Sequence, residues 1–141
     1  MKKGCERSEG YERRDIKDIK DIIKGYIKEY ANGASIAPDE PFYIVNLEKV
    51  EDQFNKWVEY LPNVKPYFAV KSNPDDKIIR LLAKLGCGFD CASKSELKNV
   101  LSVVHNPDRI IFANPCKVSS HLMYARDNDI AMMTFDSLEE L

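Results

Sequence analysis

The stretch Pro66–Pro74, PYFAVKSNP, decides the reading of this chain. Tyr67, Phe68, Ala69 and Val70 form a compact apolar run of strand-forming residues, and Ser72-Asn73-Pro74 punctuates it. Lys71 stands at the point where the run stops. A lysine there is either solvated at a strand end or placed to do chemistry. The segments that follow repeat the pattern. GFDCA, RIIFANP and AMMTFD are also strand-like, with centres near Asp90, Phe112 and Met133. Together with Ala69 these centres recur about every 21–22 residues.

A helical pattern fills each interval. Asn73 and Pro74 read as N-cap and first residue of a helix carrying Ile78, Ile79, Leu82 and Leu85, with Gly86 as the residue that ends it. Ser93 and Glu96 have capping-box spacing ahead of Leu97, Val100, Leu101 and Val104. Ser119 reads as the cap of a helix with Leu122, Met123 and Ala125. Ser137 and Glu140 repeat the capping-box spacing. Alternating strands and helices with short links predict parallel βα units. Their regular period predicts an α/β fold of the TIM type: the first four or so units of a (β/α)8 barrel over residues 66–141. A closed barrel of this kind takes about 250 residues, so the chain reads as a truncated half.

Upstream, residues 1–14 are polar and read as a disordered tail. Residues 15–65 read as helix, strand and helix. Ile16, Ile19, Ile22, Ile23 and Ile27 line one helical face, with Lys17, Lys20, Lys24 and Lys28 on another and Asn32-Gly33 as the stop. Interleaved Asp15, Asp18, Asp21 and Glu29 favour docking on the protein's own core over a membrane surface. PFYIVNL (Pro41–Leu47) reads as a strand. Val50, Phe54, Trp57, Val58 and Leu61 then mark one face of a second helix, stopped by Pro62.

Bulk properties narrow the function classes. The 141 residues are 44% hydrophobic and 31% charged, with net charge −2, so no global basic field points to nucleic acid. No apolar run approaches a membrane span, and the N-terminus has no secretory pattern. Cys5, Cys87, Cys91 and Cys116 match no zinc spacing and read as reduced thiols of a cytoplasmic protein. No glycine-rich phosphate loop of the GxGxxG or GxxxxGK[ST] type occurs.

In either a barrel or an open α/β sheet, chemistry gathers at the C-terminal strand ends. Those ends carry Lys71, Ser72 and Asn73; Asp90, Cys91 and Ser93; Asn114, Pro115 and Lys117; Asp136 and Ser137. Lys71 can be a Schiff-base nucleophile if burial lowers its pKa. It can equally form a salt bridge with Asp90 or stand in solvent. Glu96 is explained by capping alone, and Cys91 by packing.

FAVKSN (Phe68–Asn73), GFDCASKSEL (Gly88–Leu97), RIIFANPCK (Arg109–Lys117) and MMTFDS (Met132–Ser137) occur in this order. Together they resemble the N-terminal part of the eukaryotic ornithine decarboxylases, pyridoxal-phosphate enzymes with an alanine-racemase-like barrel. The resemblance runs from about Pro41 to Leu141. It implies that Lys71 holds pyridoxal 5'-phosphate as a Schiff base, that Ala69 lies beside the cofactor ring, and that Asp90 sits near both. Glu96 matches a family glutamate near the active site. Ser72 stands where many members have cysteine. The implied reaction is decarboxylation of ornithine to putrescine, the complete enzyme being a cytoplasmic homodimer. The family's later barrel strands, phosphate-binding loop and C-terminal β domain have no counterpart here, so the isolated chain is expected to be inactive or nearly so. The alternative is a non-catalytic, antizyme-binding homologue or a truncated product. In the vertebrate enzymes the surface matching about Lys117–Glu140 binds antizyme. Here it carries Lys117, His121 and Arg126, but also Asp127 and Asp129.

Overall fold

The computed structural model describes residues 19–31 and 43–140. They divide into two units, one up to Ile44 and one from Val45 onward. In the first, helix α1 spans Ile19–Ala31, with Asp21 in its first turn and Lys28 in its last, the arrangement that suits the helix dipole. Its expected stripe is only partly covered, since Ile19 and Ile27 are exposed while Ile22 and Ile23 are half-buried. Ile16 and the expected Asn32-Gly33 stop lie outside the described residues.

The second unit contains helix α2 (Leu47–Tyr60), strand β1 (Tyr67–Ala69), helix α3 (Asp76–Leu85), strand β2 (Gly88–Cys91), helix α4 (Lys94–Leu101), strand β3 (Ile110–Phe112) and helix α5 (Ser119–Arg126). The three strands form one parallel sheet in the order β1-β2-β3. Each crossover carries a helix, as parallel pairing requires. The expected fourth strand is reduced to a single parallel bridge, Met133 to Phe112. Phe112 N–H donates to Met132 O at 2.9 Å and Thr134 N–H to Phe112 O at 3.2 Å. The architecture is therefore α/β, with a parallel sheet that does not close on itself.

The register sorts the side chains. Phe89, Cys91, Ile110 and Phe112 share one face of the sheet and are fully buried. Ile78, Ile79 and Leu82 of α3, Leu97 and Val100 of α4 and Ala125 of α5 cover them and complete the core. Ala69, Asp90 and Ile111, paired across the strands, share the opposite face and are only half-buried. The helices thus seal one side of the sheet and leave the other for the site.

Several local signals act as the sequence implies. Gly86 ends α3 at φ 94°, a left-handed position that suits glycine. Ser93 caps α4, its Oγ accepting from Glu96 N–H at 3.3 Å. Others act differently. Asn73 does not cap α3. Its Oδ1 accepts from Asp75 N–H at 3.2 Å, which holds the chain in a turn for two more residues. Asp75 then caps, accepting from Lys77 N–H and Ile78 N–H at 2.9 and 3.3 Å. Ser119 is the first residue of α5, and Val118 occupies the cap without a side-chain bond. The Ser137/Glu140 capping box does not form, because Glu140 turns its carboxylate to Lys117. Tyr43–Asn46 is not a strand: no described strand pairs with it, and Asn46 instead caps α2 by accepting from Lys49 N–H at 3.2 Å. On α2, Val50 and Phe54 pack against the core, but Trp57, Val58 and Leu61 remain exposed.

At the N-terminal end of the sheet, Arg109 donates from Nε and Nη2 to Cys87 O, and from Nη2 to Ala83 O at 2.7 Å. It ties the start of β3 to the end of α3 and the entry of β2. Gly88 lies against the ring of Tyr67, where an added Cβ would fall 2.6 Å from ring carbons. Gly88→Ala should therefore destabilise the chain by about 1–3 kcal/mol through overpacking, read from urea unfolding. The loss should shrink in a Tyr67→Ala background, because removing the ring removes the clash.

Candidate functional site

β1 ends at Ala69, and the chain then tightens into a 3-10 turn over Val70–Ser72. Asn73 N–H donates to Val70 O at 3.2 Å and Ser72 Oγ to Ala69 O at 2.7 Å. Val70 is drawn wholly into the core. Lys71 thus stands on a turn just past the strand, anchored by its buried neighbour, rather than on the strand itself. It is exposed, not buried as a Schiff-base lysine activated by desolvation would be.

Asp90 sits on the adjacent strand, one residue before the end of β2, with its Cα paired to Ala69 on one side and Ile111 on the other. Its Oδ1 is buried and has no hydrogen-bond partner. Burial holds the carboxyl above the usual range; the positive charge of Lys71 opposes this and the negative charge of Glu96 adds to it. The structure therefore brings Lys71, Ala69 and Asp90 together at one strand end, with Lys71 acting on Asp90 through its field and without the direct salt bridge that was one reading of the pair.

Glu96 lies in the first turn of α4 and is committed to the loop after β2. Its Oε2 accepts from Ala92 N–H at 2.8 Å and its Oε1 from Ser93 Oγ at 3.2 Å. It reaches the site by charge: it raises Asp90 and, after burial, is the next cause that pushes the Cys91 thiol up to about 12. Cys91 is fully buried on the helix-covered face and is inert packing. Among the described residues Cys87, Cys91 and Cys116 are free thiols.

At the end of β3 the arrangement departs from the sequence reading. Lys117 is not a surface cation, since its side chain is 2% exposed. Its Nζ donates to Thr134 O and to Glu140 Oε1, the latter at 2.6 Å, and lies 5.8 Å from the centre of the Phe112 ring. Of the basic residues read there, Arg126 is exposed and pairs with Asp127, while His121 is half-buried. Asn114, noted only as a strand-end residue, proves to bridge two loops: Nδ2 donates to Ala92 O at 3.0 Å and Oδ1 accepts from Cys116 N–H at 3.2 Å. Its signal in the sequence is the Asn-Pro pair at a strand end.

The donor set fits a cofactor that carries an aldehyde and a cationic or hydrogen-bonding edge. An exposed primary amine can reach an aldehyde. The unpartnered buried Oδ1 of Asp90 offers an acceptor beside it, and Ala69 adds only a methyl group to that face.

Comparison with known proteins agrees. Residues 47–141 match the family described as pyridoxal-dependent decarboxylase, pyridoxal binding domain. The chain belongs to this family. Among individual relatives, it is 52% identical over 103 residues to the ornithine decarboxylase of Saccharomyces cerevisiae, covering 73% of this chain and 22% of that one. The crystal structure of ornithine decarboxylase from Entamoeba histolytica superposes with a TM-score of 0.71 at 36% identity, covering 84% of this chain and 37% of that one. The arginine decarboxylase of Paramecium bursaria Chlorella virus gives a TM-score of 0.76 at 32% identity, covering 84% and 31%. The chain thus spans between about a fifth and two fifths of the length of these relatives.

Two predictions follow from the charges. Asp90 has a raised folded pKa, so its contribution to stability is present below the ordinary aspartate value of about 3.9 and is lost as pH rises through the folded value. Asp90→Asn should therefore raise the urea midpoint relative to wild type at pH 7, and the difference should vanish below about pH 4. Glu140 has the opposite sign. Its hydrogen bond from Lys117 holds its carboxyl below the usual range, so its contribution is present above the ordinary glutamate value, about 4.3, and is lost as pH falls through the folded one. Lys117→Met should abolish that acid-side loss, read as amide exchange of Thr134 against pH.

Proposed function

We propose that this chain is the lysine-bearing part of a pyridoxal-phosphate enzyme that decarboxylates ornithine to putrescine. The observation that carries the reading is Lys71 on its turn next to the buried, unpartnered carboxylate oxygen of Asp90. The family match supplies the cofactor class, and the ornithine decarboxylases among the relatives supply the substrate.

In this reading the amine of Lys71 is the nucleophile that holds the cofactor. Asp90 supplies the negative charge that keeps a protonated nitrogen in place beside it. Ala69 keeps the face between them open for a planar ring. Glu96 fixes the loop after β2 and presses its charge on Asp90. Pyridoxal phosphate, when bound, supplies an aldehyde for amine condensation and a ring that accepts the electron pair left as the carboxylate departs. Carbon dioxide leaves, and a proton takes its place on the carbon.

We further infer that the sheet is part of a (β/α)8 barrel whose open face is the lumen. The three strands and one bridge among the described residues do not close such a barrel, so turnover is expected to need further strands. A homodimer and a cytoplasmic setting accompany the reading, the second supported by Cys87, Cys91 and Cys116, which are free thiols among the described residues. An antizyme-type partner on about Lys117–Glu140 would have to be met by Arg126 and its neighbours, because Lys117 is turned inward.

The test is chemical. The purified chain is mixed with pyridoxal phosphate, reduced with borohydride and mapped by peptide mass. Label concentrated on Lys71 and lost in Lys71→Ala is the expected result. Label spread over the surface lysines, or none, would count against the assignment.

A further inference from the structure

Asp90 presents a problem of placement. A carboxylate oxygen that makes no hydrogen bond is not located by contacts of its own. Its position relative to Lys71 must come from the backbone that carries it. That backbone is held tightly on its C-terminal side. Cys91 O accepts from Ala113 N–H of the neighbouring strand end at 2.8 Å. The next residue, Ala92, is clamped at both of its polar backbone atoms. Its N–H donates to Glu96 Oε2 at 2.8 Å, and its C=O accepts from Asn114 Nδ2 at 3.0 Å.

The orientation of the Asn114 amide follows from its partners. Cys116 N–H can only donate, so it faces Oδ1; Ala92 O can only accept, so it faces Nδ2. The bond to Cys116 is an ordinary Asx turn, in which the Asn side chain accepts from the N–H two residues on. Both ends of the amide are therefore used, one within its own loop and one across to the loop after β2. Asn114 is half-buried, which shields the cross-strand bond from competing water.

We infer that Asn114 is a positioning residue: through Ala92 it fixes the end of β2 and so sets Asp90 against Lys71. Its own hydrogen bonds go to Ala92 and Cys116, not to the side chains of Asp90 or Lys71. The inference rests on the reading of Lys71 and Asp90 as cofactor residues. Glu96 does the same work from α4, so the Ala92 peptide is held from two elements at once.

The local turn and the cross-strand bond can be separated. Asn114→Ser keeps a short side-chain acceptor for Cys116 N–H but cannot reach Ala92 O. Asn114→Ala loses both. In the full chain, circular dichroism and the thermal midpoint establish that each variant is folded. Asn114→Ser should move the Ala92 carbonyl carbon-13 resonance upfield, because that oxygen loses its donor, while the Cys116 amide exchanges near the wild-type rate. The rate of Lys71 labelling by pyridoxal phosphate should fall, and its pH profile should move toward that of Asp90→Asn. An unchanged Ala92 carbonyl resonance, or a shifted one with an unchanged pH profile, would overturn the inference. Absence of Lys71 label in the wild-type chain would instead sink the cofactor assignment. The strap is then judged by the carboxyl carbon-13 titration of Asp90: a midpoint shifted in Asn114→Ser supports it, and one identical to wild type rejects it.

Discussion

The register of the parallel strands governs everything else in the second unit. Pairing Ala69 with Asp90 and Asp90 with Ile111 places Phe89, Cys91, Ile110 and Phe112 on the opposite face, where three helices bury them. A slip of one residue would reverse this. It would drive the Asp90 carboxylate under α3 and α4 and turn Phe89 toward the open side. Burial of a charge without a partner and exposure of a large aromatic ring are both costly. The same apolar packing that stabilises the sheet therefore specifies which side carries a carboxylate. The site is a by-product of the core's alternation, and its location needs no contact made by Asp90 itself.

Much of this was legible in the chain. The strand positions around Ala69, Asp90 and Phe112 follow from their apolar runs, and Gly86 and Ser93 carry local signals with few competing meanings. Each of those signals depends on residues within about one helical turn. The failures have two causes, a rival local turn in one case and distant partners in the others. Asn73 and Asp75 are both good caps, and the choice between them is made by an Asn73 turn that closes first. Glu140 has capping spacing from Ser137, but a buried ammonium from a distant loop is the stronger partner. Met133 reads as a strand residue, yet with pairing on one side only it supports just one bridge. Where tertiary partners compete with local ones, spacing alone does not decide.

Among the site residues the division is the same. Lys71 and Asp90 are picked out both by strand-end placement and by the resemblance, Ala69 by the resemblance alone, and the register sets Ala69 beside Asp90. The resemblance names Glu96 beside the active site, whereas its hydrogen bonds go to Ala92 and Ser93. Capping and charge pressure are one role, since the carboxylate that holds the loop also raises Asp90. In the sequence Lys117 reads as a polar residue at a strand end or as a cation of a partner-binding surface, and Asn114 only as a polar strand-end residue. Their partners, Glu140 and Ala92, lie 23 and 22 residues away, beyond any pattern of caps or turns.

These long-range bonds also explain how an open sheet keeps its mouth loops ordered. Asn114 joins the loop after β3 to the loop after β2, and Lys117 joins that same loop to the segment after Met133. The segment from Asn114 to Lys117 thus holds a neighbour on each side, with donors aimed at backbone carbonyls in both directions. The carbonyls of Ala92 and Thr134 are present whatever residues stand there, so these bonds constrain the path of the loops; among these partners only Glu140 is held by its side chain. On the proposed reading, a site that presents an amine and a carboxylate to one small molecule would gain from that separation, because the groups proposed to do chemistry are not the groups that keep the scaffold in place.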